Sequence, residues 1–195
     1  AEKIENLQWS EQFVTSEITK SLPDSTALFV GSSRPVRDVE AFCKPRGGLE
    51  VCANRGLAGI DGNISTIFGV AKEVDTTYAI LGDLTFLHDI SALSNTANEN
   101  VRIYVIDNNG GGIFSTLPQA GVDGFEKIFG TPPGRDIQAI ATSFGVKTSK
   151  ISTSTELAKL VAEPVKGFEI IVVQVPSRQE NGDYLKSIYA KMESL

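Results

Sequence analysis

Six short apolar segments, each closed by a polar turn and parted from the next by a stretch with helical spacing, constrain this chain more than any other feature. They lie at 27–30, 50–53, 77–81, 101–106, 146–151 (the weakest) and 168–175. Helices are expected at 34–42, with Pro35 in the first turn, and at 61–74, with Ile64, Ile67, Phe68 and Ala71 on one face. Others are expected at 84–94, 136–144, 154–163 and 183–193. An opening helix follows Ser10, with Phe13, Val14, Ile18 and Leu22 at helical spacing and Trp9 and Val14 bracketing the cap as a hydrophobic staple. Mainly apolar strands alternating with helices predict an α/β fold: a three-layer sandwich with a mostly parallel sheet of about six strands, covered by helices on both faces. The stretch 115–135, rich in glycine and proline around an apolar piece at 125–129, reads as a loop over the site. The pattern leaves the strand order open.

Composition narrows the function classes. A length of 195 residues suits one domain, 1–195, with a full core. A net charge of −6 disfavours nucleic acid as a partner. No apolar run is long enough to span a membrane, and the first residues carry no secretory pattern, so a cytoplasmic location is expected. Two cysteines, Cys43 and Cys52, read as reduced and mostly buried thiols. The single histidine, His88, has no partner for a histidine-rich metal site and reads as structural. No Gly-x-Ser-x-Gly elbow accompanies it, which sets hydrolase chemistry aside.

In an open α/β sheet, ligands bind beyond the carboxyl ends of the strands. Those ends carry Gly31-Ser32-Ser33, Asn54-Arg55-Gly56, Gly82-Asp83 and Asn108-Asn109-Gly110. The 24 residues between Asp83 and Asn108 suffice for one crossover helix and one return strand, which puts both side chains at the tops of parallel strands. A carboxylate, an amide carbonyl and a backbone carbonyl are the hard oxygens that Mg²⁺ prefers, and phosphate oxygens typically complete its octahedron. Gly82 permits close backbone approach to a phosphate. The pattern therefore favours a metal-bridged diphosphate. Read without a ligand, Asp83 would be a helix cap and Asn108-Asn109-Gly110 a turn.

Gly82-Asp83 followed by Asn108-Asn109 resembles the Gly-Asp-Gly…Asn-Asn signature of thiamine-diphosphate enzymes. Leu84 stands where the general pattern has a second glycine. That departure resembles the MenD branch, the 2-succinyl-5-enolpyruvyl-6-hydroxy-3-cyclohexene-1-carboxylate synthases of menaquinone biosynthesis, as do the segments 54–62, 81–86 and 108–114. The resemblance implies a domain that binds the diphosphate and Mg²⁺ (or Mn²⁺), with Asp83, Asn108 and the Gly110 carbonyl as metal ligands; a register one residue later would make Asn109 the ligand. It implies backbone contacts to the diphosphate from Gly82, Leu84, Gly111 and Gly112. Ile60 would wedge beneath the cofactor, while Ile113, Phe114 and Leu117 would line the wall. Ser33, Arg37 and Arg55 match positions that contact substrate or intermediate, and two arginines suit substrates with two carboxylates, 2-oxoglutarate and isochorismate.

The resemblance further implies a homo-oligomeric, decarboxylating transferase. Its pyrimidine-binding domain, which supplies the activating glutamate, is absent here and normally comes from a second subunit. This chain alone is then expected to be inactive. The alternatives are another thiamine-diphosphate lyase, such as an acetohydroxy-acid synthase relative, or a non-catalytic nucleotide-binding α/β module. The last would be expected to carry a Gly-x-Gly-x-x-Gly turn, whereas Gly56, Gly59 and Gly62 are spaced three apart.

Overall fold

The computed structural model describes residues 7–95 and 98–193. The strands are β1 (Thr26–Val30), β2 (Leu49–Cys52), β3 (Thr76–Gly82), β4 (Asn100–Asp107), β5 (Lys147–Ile151) and β6 (Phe168–Gln174). They form one six-stranded sheet in the order β2-β1-β3-β4-β6-β5, and every pairing is parallel. The helices are α1 (Glu11–Ser21), α2 (Arg34–Phe42), α3 (Asn63–Val70), α4 (Asp83–His88), α5 (Ile137–Ser143), α6 (Ser154–Val161) and α7 (Arg178–Glu193).

Alternation along the strands sorts the core into two clusters. One face of the sheet presents Phe29, Ala79, Leu81, Ile103, Val105 and Val172 to Ile64 and Ile67 of α3, Phe86 of α4 and Ala141 of α5. The other presents Leu28, Ile80, Tyr104 and Ile171 to Val14 and Ile18 of α1 and Leu157 of α6. A smaller cluster of Phe42, Leu185 and Ile188 fastens α7 outside this layer. The expected three-layer sandwich is therefore present. At the start of α1, Ser10 Oγ accepts from Phe13 N at 3.2 Å and Trp9 packs against the second cluster, as the staple requires.

Several boundaries differ from the sequence expectation. The helix expected over 61–74 is only Asn63–Val70, because Gly62 enters it from the left-handed region at φ 71°. The one expected over 84–94 is broken: α4 ends at His88, and a 3₁₀ stretch, Ile90–Ser94, follows. Asp89, at the break, turns its buried carboxylate to Ser65 N (2.9 Å) and so caps α3 from outside. α7 starts at Arg178 rather than 183. The stretch 115–135 is not all loop: a 3₁₀ turn (Gly112–Thr116) runs into it and it holds a π-helical turn (Glu126–Gly130). Both cysteines are free, but they are half-buried rather than mostly buried.

Candidate functional site

The sheet reverses its direction of growth at β1 and β3. The connection from β1 leads outward to β2, and that from β3 leads the other way to β4. A ligand crevice is expected at such a point, beyond the strand ends. A cavity of about 810 Å³ opens there. Its lining includes Ser33, Arg37, Arg55, Ile60, Gly82, Asp83, Leu84, Asn108, Gly110, Gly111, Gly112, Ile113 and Phe114, so nearly every site residue expected from sequence meets in one space. Leu117 does not line it and is 38% exposed. His88, read as structural, does line it, and its side chain is exposed.

Asp83 and Asn108 sit at the tops of β3 and β4, as their spacing predicted. Asp83 is buried, and its carboxylate accepts from Leu84 N and Gly110 N, both at 2.7 Å. Burial, with Asp107 and Glu11 nearby, pushes its pKa up to about 7 despite those two bonds. Asn108 is also buried; its Nδ2 donates to Glu11 Oε1 at 2.5 Å, and its Oδ1 has no hydrogen-bond partner. A buried carbonyl oxygen without a donor is costly, which marks it as a place for a ligand. Asn109 turns away: it is exposed, its Oδ1 accepts from Gly134 N at 3.2 Å, and its backbone oxygen accepts from Arg178.

These residues fit a magnesium-bridged diphosphate. Two carboxylates, Asp83 and Glu11, lie close together, and Asn108 Oδ1 is free to coordinate. Among the described residues no group of three His, Cys, Asp or Glu side chains could hold a metal. A cation here would therefore need amide, carbonyl and ligand oxygens, which is the habit of Mg²⁺. A Cβ added at Gly82 would meet nothing within 4 Å, so that backbone borders open space. The N–H groups of Gly111 and Gly112, by contrast, already donate to the Gly130 and Gly110 carbonyls at 2.8 and 2.9 Å, and Leu84 N to Asp83. At Gly112 a Cβ would stand 2.6 Å from Asn108 Nδ2.

Another part of the rim begins at Ser33. Its φ of 74° is unusual for a non-glycine residue, and such strain tends to persist where function holds it. One turn on, Arg37 Nη1 donates to Ser33 O at 2.8 Å. Arg37 and Arg55 are both exposed at the cavity rim.

Among the lining residues not anticipated, Glu11, Arg34 and Asp38 form one charged network. Arg34 pairs with Asp38 and lies 3.8 Å from Glu11 Oε2. Two buried carboxylates thus share one guanidinium. Glu11 is an unremarkable acid in the first turn of α1, so no local signal could have found it.

Burial, only partly offset by Arg34 and reinforced by Glu11, pushes Asp38 from 3.8 up to about 7. The folded protein then binds the proton more tightly than the unfolded chain. The stabilisation is full below pH 4 and is lost as the pH rises through 7. Thermal unfolding without metal is expected to show a Tm that falls from pH 5 to 7.5, with Asp38→Asn removing part of that slope. Each pKa unit realised is about 1.4 kcal/mol; a slope identical in Asp38→Asn would refute the assignment.

Residues 37–175 match the family model of the thiamine pyrophosphate enzyme C-terminal TPP binding domain. The 2-succinyl-5-enolpyruvyl-6-hydroxy-3-cyclohexene-1-carboxylate synthase of Thermobifida fusca (strain YX) is 39% identical over 170 residues, 83% of this chain and 31% of that protein. The synthase of the same name from Lysinibacillus sphaericus (strain C3-41) is 34% identical over 203 residues, 99% of this chain and 35% of that protein. The chain thus spans about a third of the length of these curated relatives. Among solved structures, benzoylformate decarboxylase from Polynucleobacter necessarius superposes with a TM-score of 0.67 at 21% identity, over 86% of this chain and 33% of that one, a likeness of fold. Since the family model covers most of the sequence, including both strand ends that carry Asp83 and Asn108, the chain belongs to the C-terminal TPP-binding domains of the thiamine pyrophosphate enzymes.

Proposed function

We propose that this domain anchors the diphosphate of thiamine diphosphate through Mg²⁺, within an enzyme that decarboxylates 2-oxoglutarate and joins the resulting succinyl unit to isochorismate. The observation that carries the reading is the buried, partnerless Oδ1 of Asn108 beside the Asp83 carboxylate, at the mouth of β3 and β4. Asp83, Asn108 and the Gly110 carbonyl would hold the metal. Asn109, engaged with Gly134, is the weaker candidate. Thiamine diphosphate, when bound, supplies the electron sink for loss of CO₂.

The chain's own residues do the rest. Gly82 admits close approach by lacking a Cβ, while Gly111 and Gly112 leave room for the Phe129 carbonyl and the Asn108 amide and so hold their backbone at the edge of the diphosphate. Leu84 borders the diphosphate, Ile60 supports the cofactor from below, and Ile113 and Phe114 keep water from the wall. Leu117, outside the cavity, would reach it only with a neighbouring domain in place. Ser33, Arg37 and Arg55 face the open side, where two guanidinium forks suit the carboxylates of the substrates. Leu57, 92% exposed, and Ile128, 64% exposed, flank that opening and fit an opposing surface such as the pyrimidine-binding domain of a second subunit.

The test is calorimetric titration of the native protein that carries this chain with thiamine diphosphate, with and without Mg²⁺. Asp83→Ala is expected to weaken metal-dependent binding about 100-fold, in line with the loss of a charged hydrogen-bonded ligand of about 2–3 kcal/mol. Metal-dependent binding unchanged in Asp83→Ala would remove the anchor from this site.

A further inference from the structure

We propose that Glu11 is a positioning residue for the metal anchor: its carboxylate takes the nitrogen end of the Asn108 amide and so leaves the oxygen end free for the cation. The inference rests on the Mg²⁺–diphosphate reading above and adds to it a residue from a helix that carries none of the ligands. The two ends of an asparagine amide are nearly the same size, so packing alone does not choose which faces a ligand. A cation needs the oxygen.

Glu11 makes the choice chemically. Its Oε1 accepts from Asn108 Nδ2 at 2.5 Å, and Asn108 Oδ1 is left buried and unpartnered. The glutamate is itself held from two further sides. Its backbone N donates to Asn181 Oδ1 of α7 at 3.0 Å, its Oε2 lies 3.8 Å from Arg34 Nε, and Arg34 is in turn tied to Asp38 within α2. Gly112 lets the pair meet, since a Cβ there would lie 2.6 Å from Asn108 Nδ2 and 3.4 Å from Glu11 Oε1. Outer-shell partners of this kind are worth about 10–100-fold in metal affinity.

The arrangement predicts the result of a nearly isosteric change. In Glu11→Gln, Arg34 draws the new amide oxygen toward itself and leaves its nitrogen facing Asn108. Two donors then oppose each other, so Asn108 turns over and presents nitrogen to the cation. Adding Asn108→Asp restores the match, because a carboxylate accepts from the glutamine nitrogen and keeps its second oxygen for the metal. The double variant has the same net charge as the native protein.

The experiment measures the Mn²⁺ dissociation constant by electron paramagnetic resonance in the native protein, with thiamine diphosphate present, alongside Tm. Glu11→Gln is expected to raise the constant 10–100-fold, and Glu11→Gln with Asn108→Asp to bring it back within about threefold of native. A merely structural glutamate would lower Tm without this rescue. An unchanged constant in Glu11→Gln, or a double variant no better than the single one, overturns the proposal. The Asp83→Ala arm separates the two levels: if it too leaves Mn²⁺ binding intact, or the native protein shows none, the metal reading itself falls.

Discussion

Glu169→Ala is expected to destabilise the protein by about 3–5 kcal/mol, the cost of leaving a buried charge without its partner. At this size that corresponds to a fall in Tm of about 6–20 °C. Glu169 lies on β6 in register with Arg102 on β4 and Lys147 on β5, at the end of the sheet opposite the cavity. Arg102 is only 1% exposed, yet its Nε and Nη2 both reach Glu169 Oε1 at 2.6 Å, and Nη1 donates to Leu160 O at 2.9 Å. Lys147 Nζ meets the other oxygen at 2.7 Å from a largely exposed position. Burial alone would raise the Glu169 pKa, but Lys147 and Arg102 hold it below the usual carboxylate range. Deleting the carboxylate leaves a buried guanidinium beside Tyr78 and Tyr104 without its charged partner. The pair itself contributes little net stability, since desolvating two ions offsets their attraction. Arg102→Met combined with Glu169→Leu is therefore expected to lie within about 1 kcal/mol of native. Urea denaturation of the three proteins decides it: a loss under 1 kcal/mol in Glu169→Ala would show that the arginine finds another partner or water.

The sheet and the rim were legible in the sequence for a physical reason. Parallel strands buried on both faces are mainly apolar, so 77–81 and 101–106 announce themselves, and the polar residues closing them must lie at one end. The same alternation puts Asp83 and Asn108 together at that end. It could not give the strand order β2-β1-β3-β4-β6-β5, because periodicity marks which face a residue takes and not which neighbour its strand has. It missed Glu11, Arg34 and Asp38, since a buried ion network looks in sequence like ordinary first-turn charges. The early start of α7 could have been read. Ser177 and Glu180 form a capping box, with Ser177 N donating to Glu180 Oε2 at 2.9 Å and Glu180 N to Ser177 Oγ at 3.3 Å. The break after His88 could not, because it depends on Asp89 serving a helix 24 residues away in sequence. Leu117 shows the opposite limit: a motif match assigned it to the cavity wall, and in this chain by itself it lies outside the lining and 38% exposed.

Gly110→Ala is expected to cost about 2–4 kcal/mol and to loosen the segment over the cavity. Gly110 has φ 129°, a conformation that a side chain resists at about 1–3 kcal/mol. Its missing Cβ also faces the Gly130 carbonyl, and a methyl there would collide with that oxygen and lie 3.1 Å from Arg178 Nη1. The Gly130 carbonyl belongs to the π-helical turn 126–130 and accepts from Gly111 N. Arg178, at the head of α7, donates to Asn109 O and pairs with Glu126, so one guanidinium clamps the Asn108–Gly111 loop to that turn. A methyl at Gly110 pushes the turn off this clamp and draws Gly110 N from Asp83 Oδ2, loosening both contacts at once. Gly134→Ala is the control: its φ of 54° is also positive, but a Cβ there meets nothing within 4 Å, so only the conformational cost of about 1–2 kcal/mol remains. Thermal unfolding with limited proteolysis compares the two. Gly110→Ala is expected to be cut faster within 117–131 and to unfold at a lower temperature than Gly134→Ala. Equal losses would mean that backbone strain, and not the contact with Gly130, is what the glycine relieves.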